Sequence, residues 1–110
     1  RILLSSSIGT SFGGGDKTFL YSLSKFNNEF IPQIFRNKYA KYILYNVLKI
    51  GVTDTKLHLK IPNKNLKKRI NLIPIKRMAT TQEVSEKIFS LASEENTLVH
   101  GQIINISGGE

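Results

Sequence analysis

Two stretches of the chain place a tyrosine and a lysine four positions apart: YSLSK, with Tyr21 and Lys25, and YNVLK, with Tyr45 and Lys49. With four tyrosines and twelve lysines among 110 residues, chance supplies roughly half a match of this kind, so the spacing alone decides nothing. On a helix, residues i and i+4 share one face about a turn apart, near enough for an ammonium to act on a phenol. In a strand four residues span roughly 13 Å, beyond contact. A tyrosine ordinarily titrates at about 10, so its use as an acid or base near neutrality requires positive charge beside the phenolate. A third group must hold a substrate oxygen next to the phenol, and the cluster Ser5-Ser6-Ser7 offers hydroxyls upstream.

Hydropathy patterning separates the two pairs. Residues 1–6 (RILLSS) read as a short buried strand ending in small polar residues, followed by a glycine-rich loop with Gly9, Gly13, Gly14 and Gly15. From 19 to 39 the apolar residues Leu20, Leu23, Phe26, Phe30, Ile31, Ile34 and Phe35 recur at three- and four-residue steps, which predicts an amphipathic helix bent at Pro32. Tyr21 and Lys25 therefore fall on a helix. Residues 43–48 (ILYNVL) predict a second strand, so Tyr45 and Lys49 are structural. A turn at 61–65 and a short helix at 66–72 follow. Thr80 and Glu83 form a capping box for a helix over 82–93, and residues 102–106 make a last strand between glycines. The alternation predicts an α/β fold with a parallel sheet of three strands and flanking helices, the C-terminal part of a larger α/β fold. Three strands leave faces and an edge uncovered. Arg1 leads straight into an apolar run, and the expectation is a chain cut from a larger domain.

Composition narrows the function classes. Without cysteine, disulfides, thiolate metal sites and cysteine nucleophiles are excluded. His58 and His100 stand apart with no carboxylate cluster, so no metal site is expected, and G-x-S-x-G, the hydrolase nucleophile elbow, is absent. Asp54 suits a turn-capping role. Apolar runs of three or four residues are far short of a membrane span and no signal pattern is present, so a cytoplasmic protein is expected. The net charge of +8 is concentrated: residues 56–77 hold Lys56, Lys60, Lys64, Lys67, Lys68, Arg69, Lys76 and Arg77 with no acid among them. This predicts a surface for an anion, with a solvated basic face as the alternative. A nucleic-acid-binding module is disfavoured because the aromatics sit at core spacing in the first helix and do not interleave with the lysines.

Ser6 to Gly9 reads S-x-x-G, Tyr21 to Lys25 reads Y-S-x-S-K, and a strand runs into GVTDT at 51–55. The tail adds IPIKRMATTQEV at 73–84, LAS at 91–93 and GQIINISGG at 101–109. In order and spacing these resemble the C-terminal half of the short-chain dehydrogenase/reductase family, over essentially the whole chain. The resemblance implies the C-terminal part of a Rossmann-like, doubly wound parallel sheet and an NAD(P)-dependent oxidoreductase interconverting a carbonyl and an alcohol on a small or carrier-bound substrate. It implies Tyr21 as general acid/base, Lys25 as the group that stabilises its phenolate and holds the nicotinamide ribose, and Ser6 as the residue that orients the substrate oxygen and stabilises the oxyanion. Ser5 and Ser7 compete, but only Ser6 has the S-x-x-G offset. Gly51, Val52, Thr53 and Thr55 match the segment that holds the nicotinamide carboxamide, Thr55 best. The basic stretch falls where family members diverge to suit their substrates, here phosphorylated, carboxylated or carrier-bound. A dimer or tetramer is implied for the full-length protein.

Three features depart from the family pattern: Ile50-Gly51 replaces Pro-Gly, the separation between Ser6 and Tyr21 is longer, and Pro32 interrupts the long helix. The family's glycine-rich dinucleotide turn is not in this chain, so 1–110 is expected to carry the catalytic and substrate-binding part without the N-terminal cofactor-binding half. Alone it is expected to be inactive. A non-catalytic remnant is the alternative, and the choice between NAD and NADP falls to residues outside the chain.

Overall fold

ILLSSS and YNVLKI, short runs that carry isoleucine, leucine and valine, are both strands in the computed structural model, which describes residues 1–60 and 65–110. Lys64 and most of the turn expected at 61–65 lie outside the described residues. β1 (Ile2–Ser7), β2 (Tyr45–Ile50) and β3 (Ile103–Ile106) form a parallel sheet in the order β1-β2-β3. The register sets Ile2 beside Tyr45, Leu4 beside Val47 and Ser6 beside Lys49. β2 starts two residues later than expected, because the N–H groups of Tyr42 and Ile43 turn back to the Tyr39 carbonyl. Five consecutive residues of β2 are buried, as a central strand covered on both faces requires.

The helix expected over 19–39 is broken rather than bent. α1 (Phe19–Phe26) passes into a 3-10 turn (Asn27–Glu29), the backbone is extended at Phe30 (ψ 113°) and Pro32 (ψ 135°), and α2 (Gln33–Arg36) restarts after the proline. Pro32 has no N–H to give and keeps Ile31 out of the helical region, so the chain gains more by breaking. The break drops Ile31 into the core with Tyr45 and Val47, and stacks Phe35 on Tyr45 at 5.4 Å between ring centroids. What α1 keeps outside is apolar: Phe19, Leu20, Leu23 and Phe26 are 53–66% exposed.

α3 (Leu66–Leu72) is capped by the Asn65 side chain, which accepts from the Lys68 N–H. α4 (Thr81–Ala92) packs against β1 and β2 with Val84 and Leu91 buried. Its capping box is formed in full: Thr80 accepts from the Glu83 N–H while the Glu83 carboxylate accepts from the Thr80 N–H at 2.8 Å. Hydrogen bonds from Arg77 hold the Glu83 carboxyl down at about 2. Replacing Thr80 by alanine is expected to lower stability by about 1 kcal/mol, readable as a shifted urea midpoint with an unchanged m-value.

Candidate active site

β1 and β2 end side by side, and the loops leaving them enclose a cleft of about 530 Å³ at the carboxyl edge of the sheet. Ligands of open parallel sheets bind at that edge. Into the cleft converge Ser5, Ser6 and Ser7 from β1, Tyr21 and Lys25 from α1, and Gly51, Val52, Thr53 and Thr55 after β2. Every residue expected at the site lines this one cleft. Tyr45, by contrast, is buried in the core with its phenol pushed above 10 by that burial, as its structural reading required.

Local folding explains the positions. Ser7 caps the 3-10 turn Ile8–Phe12, accepting from the Gly9 N–H, which commits its hydroxyl locally. Gly13 closes that turn at φ 71°, and Gly14 (φ 77°) enters α1 so tightly that a Cβ would lie 2.8 Å from the Thr18 carbonyl. The glycine run thus absorbs the longer Ser6–Tyr21 separation. Ser22 is buried and donates to the Gly9 carbonyl, pinning α1 to the loop, so that Tyr21, on the adjacent position, stands half exposed at the cleft rim. Tyr21 also borders a second, largely apolar cleft of about 690 Å³, lined by Phe12, Leu72 and Pro74 and by the ion-paired Arg69 and Glu110.

The GVTDT segment is fastened from outside. Val52 accepts from the Ala79 N–H and Asp54 donates to the Ala79 carbonyl, both at 2.9 Å. Thr53 turns its hydroxyl to the Gly51 carbonyl at 3.2 Å, and the His58 ring bonds the Thr53 carbonyl. A Cβ on Gly51 would meet Ser107 Cα at 2.7 Å, so only glycine lets β3 approach here. Ile50 in place of the family's proline is an ordinary strand residue.

Ser6 is 3% exposed. Its hydroxyl donates to Glu29 Oε1 at 2.7 Å, with the Lys25 carbonyl oxygen a second acceptor at 3.2 Å. Glu29 also receives Thr10 and pairs with Lys49 Nζ at 3.3 Å, while Lys49 donates to Ser11 at 2.9 Å. Burial pushes the Glu29 carboxyl up, but the hydrogen bonds from Thr10, Ser6 and Lys49 outweigh it and hold it below its ordinary 4.5. The sequence expectations did not include Glu29 and Lys49 as site residues. The signal was available: a lysine inside a buried strand demands an anion.

The basic stretch is less open than its composition suggested. Arg69 pairs with Glu110, Arg77 with Glu83, and Lys76 donates to the Asn71 carbonyl. Lys56, Lys60, Lys67 and Lys68 are exposed.

A parallel α/β sheet with a serine at one strand end and a Tyr–Lys pair on the following helix defines the class of protein. The family model described as enoyl-(acyl carrier protein) reductase matches residues 1–110, and the chain belongs to the short-chain dehydrogenase/reductase family. It is 36% identical over 70 residues to a 3-oxoacyl-[acyl-carrier-protein] reductase of Thermotoga maritima, covering 64% of this chain and 28% of that protein. To nodulation protein G of Rhizobium meliloti it is 29% identical over 109 residues, covering 99% and 44%. Among solved structures, ElxO with NADP bound superposes with a TM-score of 0.81 at 25% identity, over 97% of this chain and 44% of that one. An NADH-dependent reductase, A1-R′, responsible for alginate metabolism gives 0.75 at 26%, over 97% and 40%. The chain thus spans less than half the length of these relatives.

Proposed function

We propose that this chain is the catalytic and substrate-binding part of an NAD(P)-dependent oxidoreductase that interconverts a carbonyl and an alcohol. The observation that carries the reading is the convergence of Ser6, Tyr21 and Lys25 with Gly51, Val52, Thr53 and Thr55 in one cleft at the strand ends. Two oxygen groups, Tyr21 and Ser6, with an ammonium behind them, suit chemistry at a substrate oxygen better than at a carbon–carbon double bond.

The group set suits the nicotinamide end of a dinucleotide: the Lys25 ammonium for ribose hydroxyls, and backbone groups of Val52 and Thr53 with the Thr55 hydroxyl for a carboxamide. When bound, that cofactor supplies or accepts the hydride. Tyr21 gives its phenolic proton to the substrate oxygen in reduction and takes it back in oxidation. Lys25, one helical turn away, places positive charge beside the phenolate. Ser6 hydrogen-bonds the same substrate oxygen and orients it. The second, apolar cleft beside Tyr21 supports a substrate with an apolar body, and the exposed Lys56, Lys60, Lys67 and Lys68 support an anionic or carrier-bound tail.

The coverage of the relatives, below half their length, supports a longer protein in which a dinucleotide-binding half adds strands beside β1. The apolar face of α1 supports burial there or in a dimer or tetramer. The test is turnover: the full-length protein is expected to consume NADH or NADPH with a 3-oxoacyl thioester, a keto acid or a keto sugar, and not with a 2-enoyl thioester. The 110-residue chain by itself is expected to show no turnover. Family-like rates from these residues alone would overturn the division of labour, and silence of the full-length protein across the panel would favour a non-catalytic remnant.

A further inference from the structure

The apolar cleft beside Tyr21 has a charged wall. Glu110 lines it with a side chain only 4% exposed, and its Oε1 pairs with Arg69, which borders both this cleft and that of Ser6 and Lys25. The other carboxylate oxygen, Oε2, is buried and has no hydrogen-bond partner among the described residues. The backbone around Glu110 is fastened on several sides. The chain turns at Gly108 (φ 68°) and Gly109 (φ 98°), where a Cβ would press on Ile75 and Pro74. The Gly108 carbonyl accepts from the Ile75 N–H at 3.2 Å, and the Ser107 hydroxyl donates to the backbone oxygen of Glu110 at 3.1 Å.

An ionised carboxylate only accepts, and an oxygen left bare among apolar groups is costly. Phe12, Leu72 and Pro74, which share the cleft, have no side-chain donor to offer it. The last torsion of a glutamate is soft, so the carboxylate can turn Oε2 toward a donor in the cleft while Arg69 holds Oε1. Arg69 already balances the charge and repels a second cation, so the fitting group is a neutral donor. We infer that Glu110 is a specificity-determining residue that accepts a hydrogen bond from the substrate, so that the site selects substrates whose body carries a hydroxyl or an amide N–H. The inference rests on the reaction proposed at Tyr21.

The test uses the full-length protein, its cofactor and two matched substrate pairs. One is the N-acetylcysteamine thioester of a 3-oxo acid against its N-methylated analogue, which lacks the amide N–H; the other is a keto sugar against its fully O-methylated form. The wild type is expected to favour the donor-bearing member of one pair by about ten- to a hundredfold in kcat/KM, chiefly through KM, as one hydrogen bond to a charged group would give. The pair that shows the preference identifies the source of the donor. Glu110→Leu with Arg69→Leu removes both charges together, which avoids an unpaired one, and should bring the preference below about twofold. Glu110→Gln keeps an acceptor without the charge; it should cut the preference about threefold or more, and serves if the double variant fails to fold. A wild-type preference that survives both substitutions undiminished would assign Glu110 to the fold alone and overturn the inference. Equal use of both members of each pair, or use of a donor-free keto acid alone, would overturn it too. No turnover of any member of the panel by the wild type would sink the reaction proposed at Tyr21 and the inference with it.

Discussion

Tyr21→Phe in the full-length protein is expected to lower kcat by about 10²- to 10⁴-fold, the usual worth of a positioned acid or base. That corresponds to roughly 3–5 kcal/mol of transition-state stabilisation. Tyr21 is 53% exposed and has no core role, so the change deletes one oxygen and leaves the packing intact. KM and the thermal midpoint should therefore stay close to wild type, and the loss should appear in kcat. Initial rates from the absorbance of the reduced cofactor measure it. The matched control is Tyr45→Phe, which alters a buried phenol of the core cluster and should leave kcat alone. If Tyr45→Phe rather than Tyr21→Phe removed activity, the choice between the two tyrosine–lysine pairs would be wrong.

Lys49→Met is expected to destabilise the full-length protein by about 3–5 kcal/mol, because it strands the Glu29 carboxylate beneath Ser6 without its counter-charge. The paired Glu29→Leu/Lys49→Met variant should recover most of that loss, since apolar residues replace a buried ion pair at little or no cost. Urea unfolding of the three proteins checks both statements. The same network gives a pH dependence. Folding lowers the Glu29 carboxyl below 4.5, so its contribution is complete above that pH and is lost as the pH falls through the lower folded value. The acid limb should flatten in the double variant.

Much of this was legible along the chain because it depends on short-range periodicity. The three-residue steps of Leu20, Leu23 and Phe26 put Tyr21 and Lys25 on a helix, and the continuous run ILYNVL put Tyr45 in a strand. The alternation of such segments implied a parallel sheet, and Thr80 with Glu83 marked a helix start that formed as expected. The Pro32 break was underestimated, since the gain from sinking Ile31 and Phe35 into the core is a tertiary quantity that no local pattern reports.

Residue type, spacing and the family resemblance singled out the candidate side chains: Ser6, Tyr21 and Lys25, with the GVTDT segment after the second strand. Only the tertiary structure decided which of them share a cleft, and that Ser6 meets Glu29. Glu29 and Lys49 lie 20 positions apart in the chain, and register pairing of β1 with β2 brings Lys49 to the side of Ser6. The tertiary structure also drew Arg69 to Glu110, 41 positions away, and the exposed Arg77 pairs locally with Glu83, so part of the basic stretch faces its own chain. Composition sums charges, but partners are chosen by folding, because desolvated ions must find counter-ions at a few ångströms whatever their separation in sequence.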